Sequence, residues 1–420
     1  MNKVTGAGLL IALGIIYGDI GTSPLYVFNA IITDRLITEE LIIGSLSCII
    51  WTITLQTTVK YVILILRADN RGEGGIFALY ALVRRRRKWL VIPAMIGGAA
   101  LLADGIITPP ISITSAVEGL KNIPSLHNIP QNTIVYIVLG IMVLFFFLQQ
   151  FGTASIGKMF GPIMTIWFSM LAVLGIIHLT DDISIFKSFN PYYAIEFISA
   201  HPNAIWMLGA VFLCTTGAEA LYSDLGHCGR ENIRITWIFV KTCLLLNYLG
   251  QGAFLLANRK GLEITAAVKE QLNINAFYDL MPGWFVLIGV VIATTAAIIA
   301  SQAMISGSFT LISEAIRLNL WPRLKINYPS EAKGQLFIPS LNNMIFVGCV
   351  GVVLYFRESA RMEAAYGLAI IMTMLATTIL FANYLVLHRV KPLYIYIFLI
   401  FYLFIEIVFL FALLQKFTHG

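Results

Sequence analysis

The chain has 420 residues, 58% of them hydrophobic and 12% charged, with a mean hydropathy of +0.83. So little charge cannot cover the surface of a water-soluble domain of this length, which excludes a soluble protein. The net charge of +6 would suggest a nucleic-acid partner in a soluble protein. Here it reads as lysine and arginine that set membrane orientation, and no nucleic acid is expected.

The apolar segments are apolar all round instead of alternating, so they are helices and not barrel strands. At about 20 apolar residues per crossing, eleven emerge: 8–31, 41–66, 92–120, 132–149, 159–179, 204–226, 235–256, 284–313, 338–356, 363–388 and 392–414. Lys3 before an apolar run has the outline of a cleaved signal. No A-x-A-like site follows and Asp19 interrupts the run, so it is read as the first span. No long linker or low-complexity stretch divides the chain, which predicts a single transmembrane domain over 1–420.

The first span contains "GIIYGDIGTSPLYVF", with Asp19 between Gly18 and Gly21 and then Pro24. An acid, two glycines and a proline weaken a membrane helix. Free backbone groups are tolerated in hydrocarbon only where they are buried in protein or line a cavity. The break therefore points inward.

The third span reads "LLADGIITPPISITSAVEGL". Asp104, Thr108, Ser112, Ser115 and Glu118 recur at steps of four, four, three and three, which keeps them on one helix face. Pro109 and Pro110 predict a kink that frees carbonyls. Between spans 4 and 5, "GTASIGKM" at 152–159 narrowly misses a phosphate-binding loop. Met159 replaces the hydroxyl that would hold Mg²⁺, and no strand precedes it.

In the sixth span, "LCTTGAEALYSDLGH" repeats the pattern of the first, with Thr215-Thr216-Gly217 at mid-span and Glu219 directly after. Interrupted segments at matching places in two halves point to a transporter binding site. Five helices per half means opposite insertion. Residues 1–179 then form one repeat, 204–388 the second, and 392–414 an added helix. The five cysteines, Cys48, Cys214, Cys228, Cys243 and Cys349, lie in or beside spans, so disulfides are not expected. His227-Cys228 lacks the spaced partners of a metal site.

With the N-terminus inside, the inner connections hold Lys3, Arg67, Arg71, Arg84 to Arg87, Lys88, Lys158, Arg230, Arg234, Arg317, Arg323, Lys325, Lys333, Arg389 and Lys391, 17 basic residues. The outer side holds nine: Arg35, Lys121, Lys187, Arg259, Lys260, Lys269, Arg357, Arg361 and Lys416. That asymmetry predicts a cytoplasmic N-terminus, with "RRRRK" at 84–88 as a topogenic patch. Lys60 and Lys241 are placed near the inner ends of their spans.

Carboxylate, hydroxyl and carbonyl oxygens are hard ligands suited to an alkali cation. Asp19 would neutralise one positive charge, while Glu219 and Glu118 are placed to take up protons. This is the layout of a proton-coupled cation symporter.

Together with "LNYLGQGAFLL", "IASQAMISGSFTL" and "AAYGLAI", the motifs of spans 1, 3 and 6 resemble the KUP (HAK/KT) potassium-uptake family, over nearly the whole chain. The resemblance implies an all-α polytopic fold of the amino acid–polyamine–organocation superfamily, a five-plus-five inverted repeat with broken helices 1 and 6. It implies K⁺ uptake driven by a proton gradient, and a bacterial cell membrane is the expected location. Asp19 and Tyr26 fit the helix 1 positions that contact K⁺. Asp104, Thr108 and Ser112 fit the site face of helix 3, Thr216 the break in helix 6 and Tyr366 helix 10. Of these, Asp19, Tyr26, Thr108 and Thr216 are the expected K⁺ ligands. Glu219 fits the proton-coupling acid, and Glu118 a second acid.

No cofactor and no enzymatic activity are expected. The partners expected are K⁺, protons, the lipid bilayer and a second copy in a homodimer. Family members usually carry a twelfth span and a cytoplasmic C-terminal domain, and this chain ends just after span 11. Two alternatives stay open: an amino acid or polyamine transporter of the same fold, and a passive K⁺ channel or uniporter. A channel lacks support in a TVGYG-like filter, and Asp19 would repel an amino acid carboxylate.

Overall fold

The computed structural model describes residues 4–149, 157–200, 204–328 and 336–419. Lys3, Lys333 and most of the near-miss loop lie outside the described residues, as do the side chains of Lys158 and His227. Ten described helices are long and apolar enough to cross a membrane, and one bent pair makes an eleventh span. Span 1 is Gly6–Ile16 followed by Gly18–Leu25. Spans 2 to 6 are Glu39–Arg67, Lys88–Asn122, Gln131–Gln149, Met159–His178 and Ala204–Ser223. Spans 7 to 11 are Arg230–Arg259, Val286–Arg317, Pro339–Phe356, Ser359–Leu387 and Pro392–Phe417. The only strands among the described residues are Arg35–Leu36 and Glu263–Ile264. The protein is an all-α polytopic membrane protein.

Loop contacts fix the alternation of crossings. After span 1, Arg35–Leu36 pairs antiparallel with Glu263–Ile264, which follows span 7. Lys187, after span 5, donates to Glu39 at 3.1 Å, and Asn122, after span 3, donates to Asp279 at 3.1 Å. Gln131 donates to the Arg357 carbonyl, after span 9, at 2.7 Å. At the opposite end, Tyr222 donates to the Ala68 carbonyl at 2.6 Å and Arg234 to that of Val62 at 3.3 Å. The connections after spans 1, 3, 5, 7 and 9 thus meet at one end and those after spans 2 and 6 at the other.

Span 3 packs on spans 8 and 10, span 5 on spans 1 and 7, and span 11 on spans 6 and 10. Small residues allow the closest approaches, with Gly18 of span 1 facing Ala300 of span 8. All five cysteines are free and buried.

Three elements depart from regular α-helix. Span 1 bends by 66° after Ile16. In span 6 the helix ends at Phe212, a 3₁₀ turn covers Leu213–Thr215, Thr216 is extended (ψ 144°), and Gly217 takes φ +78° before helix resumes at Ala218. Span 2 is π-helical from Ile53 to Leu64, which the sequence does not signal. Span 3, where Pro109 and Pro110 predict a kink, runs as one helix from Val91 to Glu118. Pro110 cannot donate to the Ile106 carbonyl, and the Cys349 thiol donates to it instead at 3.2 Å. Other helices press against this one on both flanks, and packing of this kind holds a proline-bearing helix in line.

Candidate cation site at the helix breaks

The two breaks face each other. A Cβ on Gly217 would lie 2.7 Å from the Ile20 amide nitrogen and 3.0 Å from the Asp19 Cβ, so the chain can pass here only as glycine. Asp19 sits in the first turn after the bend, 2% exposed. Tyr366 of span 10 donates its hydroxyl to Asp19 Oδ1 at 2.6 Å. Asp19 Oδ2 is buried and has no hydrogen-bond partner among the described residues.

Around it stand the hydroxyls expected from the sequence. The hydroxyls of Tyr26 and Thr216 lie 3.2 Å apart, bridging spans 1 and 6. The Tyr26 and Tyr366 rings meet edge to face at 6.2 Å. On span 3, Thr108 donates to Asp104 Oδ1 at 2.8 Å, and Ser112 lies 3.4 Å from the hydroxyl of Thr22. Asp19, Tyr26, Asp104 and Tyr366 are within electrostatic reach of one another. All of these side chains are buried.

Chemically this is a buried cluster of carboxylate and hydroxyl oxygens with one carboxylate oxygen without a partner among the described residues. Leaving such an atom unpaired is costly in a low-dielectric interior unless a cation or a proton meets it. Hard oxygen donors of this kind fit an alkali cation.

Glu219 lies apart from that cluster, three residues beyond Thr216. Tyr61 of span 2 donates to its Oε1, and Thr377 of span 10 donates to Oε2 at 3.3 Å. Glu118 is placed elsewhere again. Its two oxygens accept from the backbone nitrogen of Ser359 at 3.0 Å and from its hydroxyl at 2.5 Å. Glu118 therefore caps the start of span 10, where the helix dipole favours an anion.

Several supporting residues escape a reading by motif. Thr22 joins the site from span 1 itself. Within "LNYLGQGAFLL", Gln251 donates to the Pro24 carbonyl at 3.1 Å and to Asn247 at 2.7 Å, and the Tyr248 hydroxyl lies 2.9 Å from that of Ser23. That motif holds the break of span 1 in shape. Lys60, placed near the inner end of span 2 by sequence, is fully buried and paired with Glu406 of span 11 at 2.5 Å. The signal was available: each is a lone charge within an apolar span.

Residues 7–420 match the model of the K⁺ potassium transporter integral membrane domain. The chain belongs to this family. A probable potassium transport system protein Kup of Cytophaga hutchinsonii is 60% identical over 429 residues, covering 100% of this chain and 63% of that protein. Proteins of the same designation from Flavobacterium johnsoniae and Clostridium perfringens are 57% and 53% identical, each across the whole of this chain. The chain spans 63% of the length of the first of these relatives and 65% of the Clostridium one. A crystal structure of a mutant manganese transporter from Eremococcus coleocola aligns over 98% of this chain and 85% of that one. At 13% identity and a TM-score of 0.49 that likeness is loose. For a K⁺ transporter family domain, the matched span includes every residue of the cluster around Asp19.

Proposed function

We propose that this chain is a transport domain that takes up K⁺ into the cell by symport with protons through alternating access. Its two five-helix halves, 1–179 and 204–388, insert with opposite topology, and the ion is held where their breaks meet. The reading rests most on Asp19 Oδ2, a buried carboxylate oxygen without a partner among the described residues. It is set among the hydroxyls of Tyr26, Tyr366, Thr216, Thr108 and Ser112. K⁺ takes Asp19, Tyr26, Thr108 and Thr216 as its ligands, Tyr366 orients the carboxylate, and Glu219 carries the proton. The relatives' designation as potassium transport system proteins supports the choice of substrate. The N-terminus is cytoplasmic, in a bacterial cell membrane.

The test is Rb⁺ uptake into proteoliposomes that are acidic outside and neutral inside, with and without a protonophore. Asp19→Asn keeps the side-chain shape but removes the charge. Uptake is expected to fall by roughly tenfold or more, the equivalent of about 1.4 kcal/mol of lost ion binding. Uptake indifferent to the protonophore would favour a channel or uniporter. Competition by putrescine against Rb⁺ would favour a polyamine substrate.

A further inference from the structure

A second polar network lies beside the cation cluster. Lys60 is fully buried within the bundle, where an ionised lysine is among the most costly side chains to place. Its Nζ donates to Glu406 Oε1 at 2.5 Å, to the Met374 carbonyl at 3.1 Å and to the Tyr61 hydroxyl at 3.5 Å. An ammonium has three donors, and all three are engaged. Tyr61 passes the contact on by donating to Glu219. The network therefore runs unbroken from Glu406 of span 11 through Lys60 and Tyr61 of span 2 to Glu219 of span 6. Two neighbouring residues of span 10 fasten both ends, Thr377 donating to Glu219 at 3.3 Å and Thr378 to Glu406 at 2.9 Å.

The π-helical stretch of span 2 makes this possible. Buried residues recur at Gln56 and Thr57, at Lys60, Tyr61 and Val62, and at Ile65 and Leu66. Steps of four and five keep each group on the inner face, because i→i+5 bonding widens the turn beyond 3.6 residues. Lys60 can then face span 11 while Tyr61 faces span 6. A strut between spans 2 and 11 would need only the ion pair, and buried ion pairs add little to stability by themselves. The third donor of Lys60 goes instead towards the residue that holds Glu219.

We infer that Lys60 is a positioning residue for proton coupling, acting on Glu219 through Tyr61, with Glu406 as the counter-charge that holds the lysine in place. The inference rests on the symport reading for its role in transport. A cation behind Tyr61 polarises the tyrosine O–H towards Glu219 and favours the carboxylate form. Glu406 moderates that effect from farther along the chain of contacts. The other ionisable groups acting here are Asp104 of span 3, which interacts with Glu219, and Tyr222 on Glu219's own helix. Tyr222 also feels Glu314 of span 8 and Tyr384 of span 10.

The experiment follows the infrared carboxyl band of Glu219 in purified protein as pH is varied, the band being assigned by its loss in Glu219→Gln. Rb⁺ uptake is measured in parallel. In Lys60→Met the titration midpoint is expected to move up by about one pH unit, the size of a close charge–charge interaction. In Glu406→Gln, with the lysine's charge no longer balanced, it is expected to move down. Should a single variant fail to fold, the double variant Lys60→Met/Glu406→Met removes both charges at matched volume. Its midpoint is expected to move up by less than in Lys60→Met. An unmoved midpoint in a folded variant, or shifts of the same sign in both single variants, overturns the inference. Wild-type vesicles that take up no Rb⁺ would sink the symport reading, and the infrared midpoints would still decide the role of Lys60.

Discussion

At the scale of single residues, the site depends on what Gly217 lacks. Its φ of +78° and the 2.7 Å separation between a would-be Cβ and the Ile20 nitrogen leave no room for a side chain. Gly217→Ala must move backbone, not a flexible side chain. We expect a loss of roughly 2 kcal/mol in stability, in the range for strained backbone positions, together with loss of Rb⁺ uptake. A thermal melt in detergent beside the uptake assay checks both. Unchanged values would mean that the two breaks are not in contact in the working protein. Asp19 was legible in the sequence because an acid between two glycines in an apolar run has few structural uses. Tyr61 was not, because a tyrosine in a bundle is ordinarily packing, and only the fold brings its hydroxyl to Glu219.

At the scale of elements, the polar stripe of span 3 divides. Asp104, Thr108 and Ser112 face the breaks, whereas Glu118 caps span 10. Helical spacing puts all of them on one face, but a helix of 28 residues is about 42 Å long, so one face meets different neighbours along its length. Glu118→Gln is expected to cost about 1 kcal/mol of stability through the weakened cap while leaving the pH profile of uptake in place. A profile displaced along the pH axis would return Glu118 to proton coupling.

The loop before span 8 carries its own titration. Burial pushes the Asp279 carboxyl up to about 6, against the opposing pull of Arg259 at 3.6 Å. A carboxyl whose folded value is raised stabilises the fold most when neutral, and that contribution fades as pH rises from about 4 to about 6. Amide exchange in residues 275–281, corrected for intrinsic rates, is expected to quicken over that range. Asp279→Asn should flatten the response. A response that survives the substitution would assign it to another group.

At the scale of the whole molecule, orientation can be read by labelling. The five native cysteines are buried, so an introduced one reports alone. Gly283 lies in open space in the loop between spans 7 and 8, and Arg85 is exposed between spans 2 and 3. In intact cells a membrane-impermeant maleimide is expected to label Gly283→Cys at once, and Arg85→Cys only after permeabilisation. The reverse pattern would invert the proposed orientation.

Composition and hydropathy by themselves determined that this is a helical membrane protein with eleven crossings, because each span must satisfy its own backbone bonds and its apolar run announces it. They also marked Asp19, Thr216 and Glu219, since glycine, proline and acid are costly in hydrocarbon and stand out there. What the tertiary structure decided is which polar groups meet. It kept span 3 continuous through two prolines, because neighbouring helices and a thiol compensate for the lost bond. It turned Glu118 into a cap, and it paired Lys60 with a buried acid of span 11. Those outcomes depend on partners distant in sequence, such as Glu406 for Lys60 and Ser359 for Glu118, and no local pattern encodes which distant residue will be the neighbour.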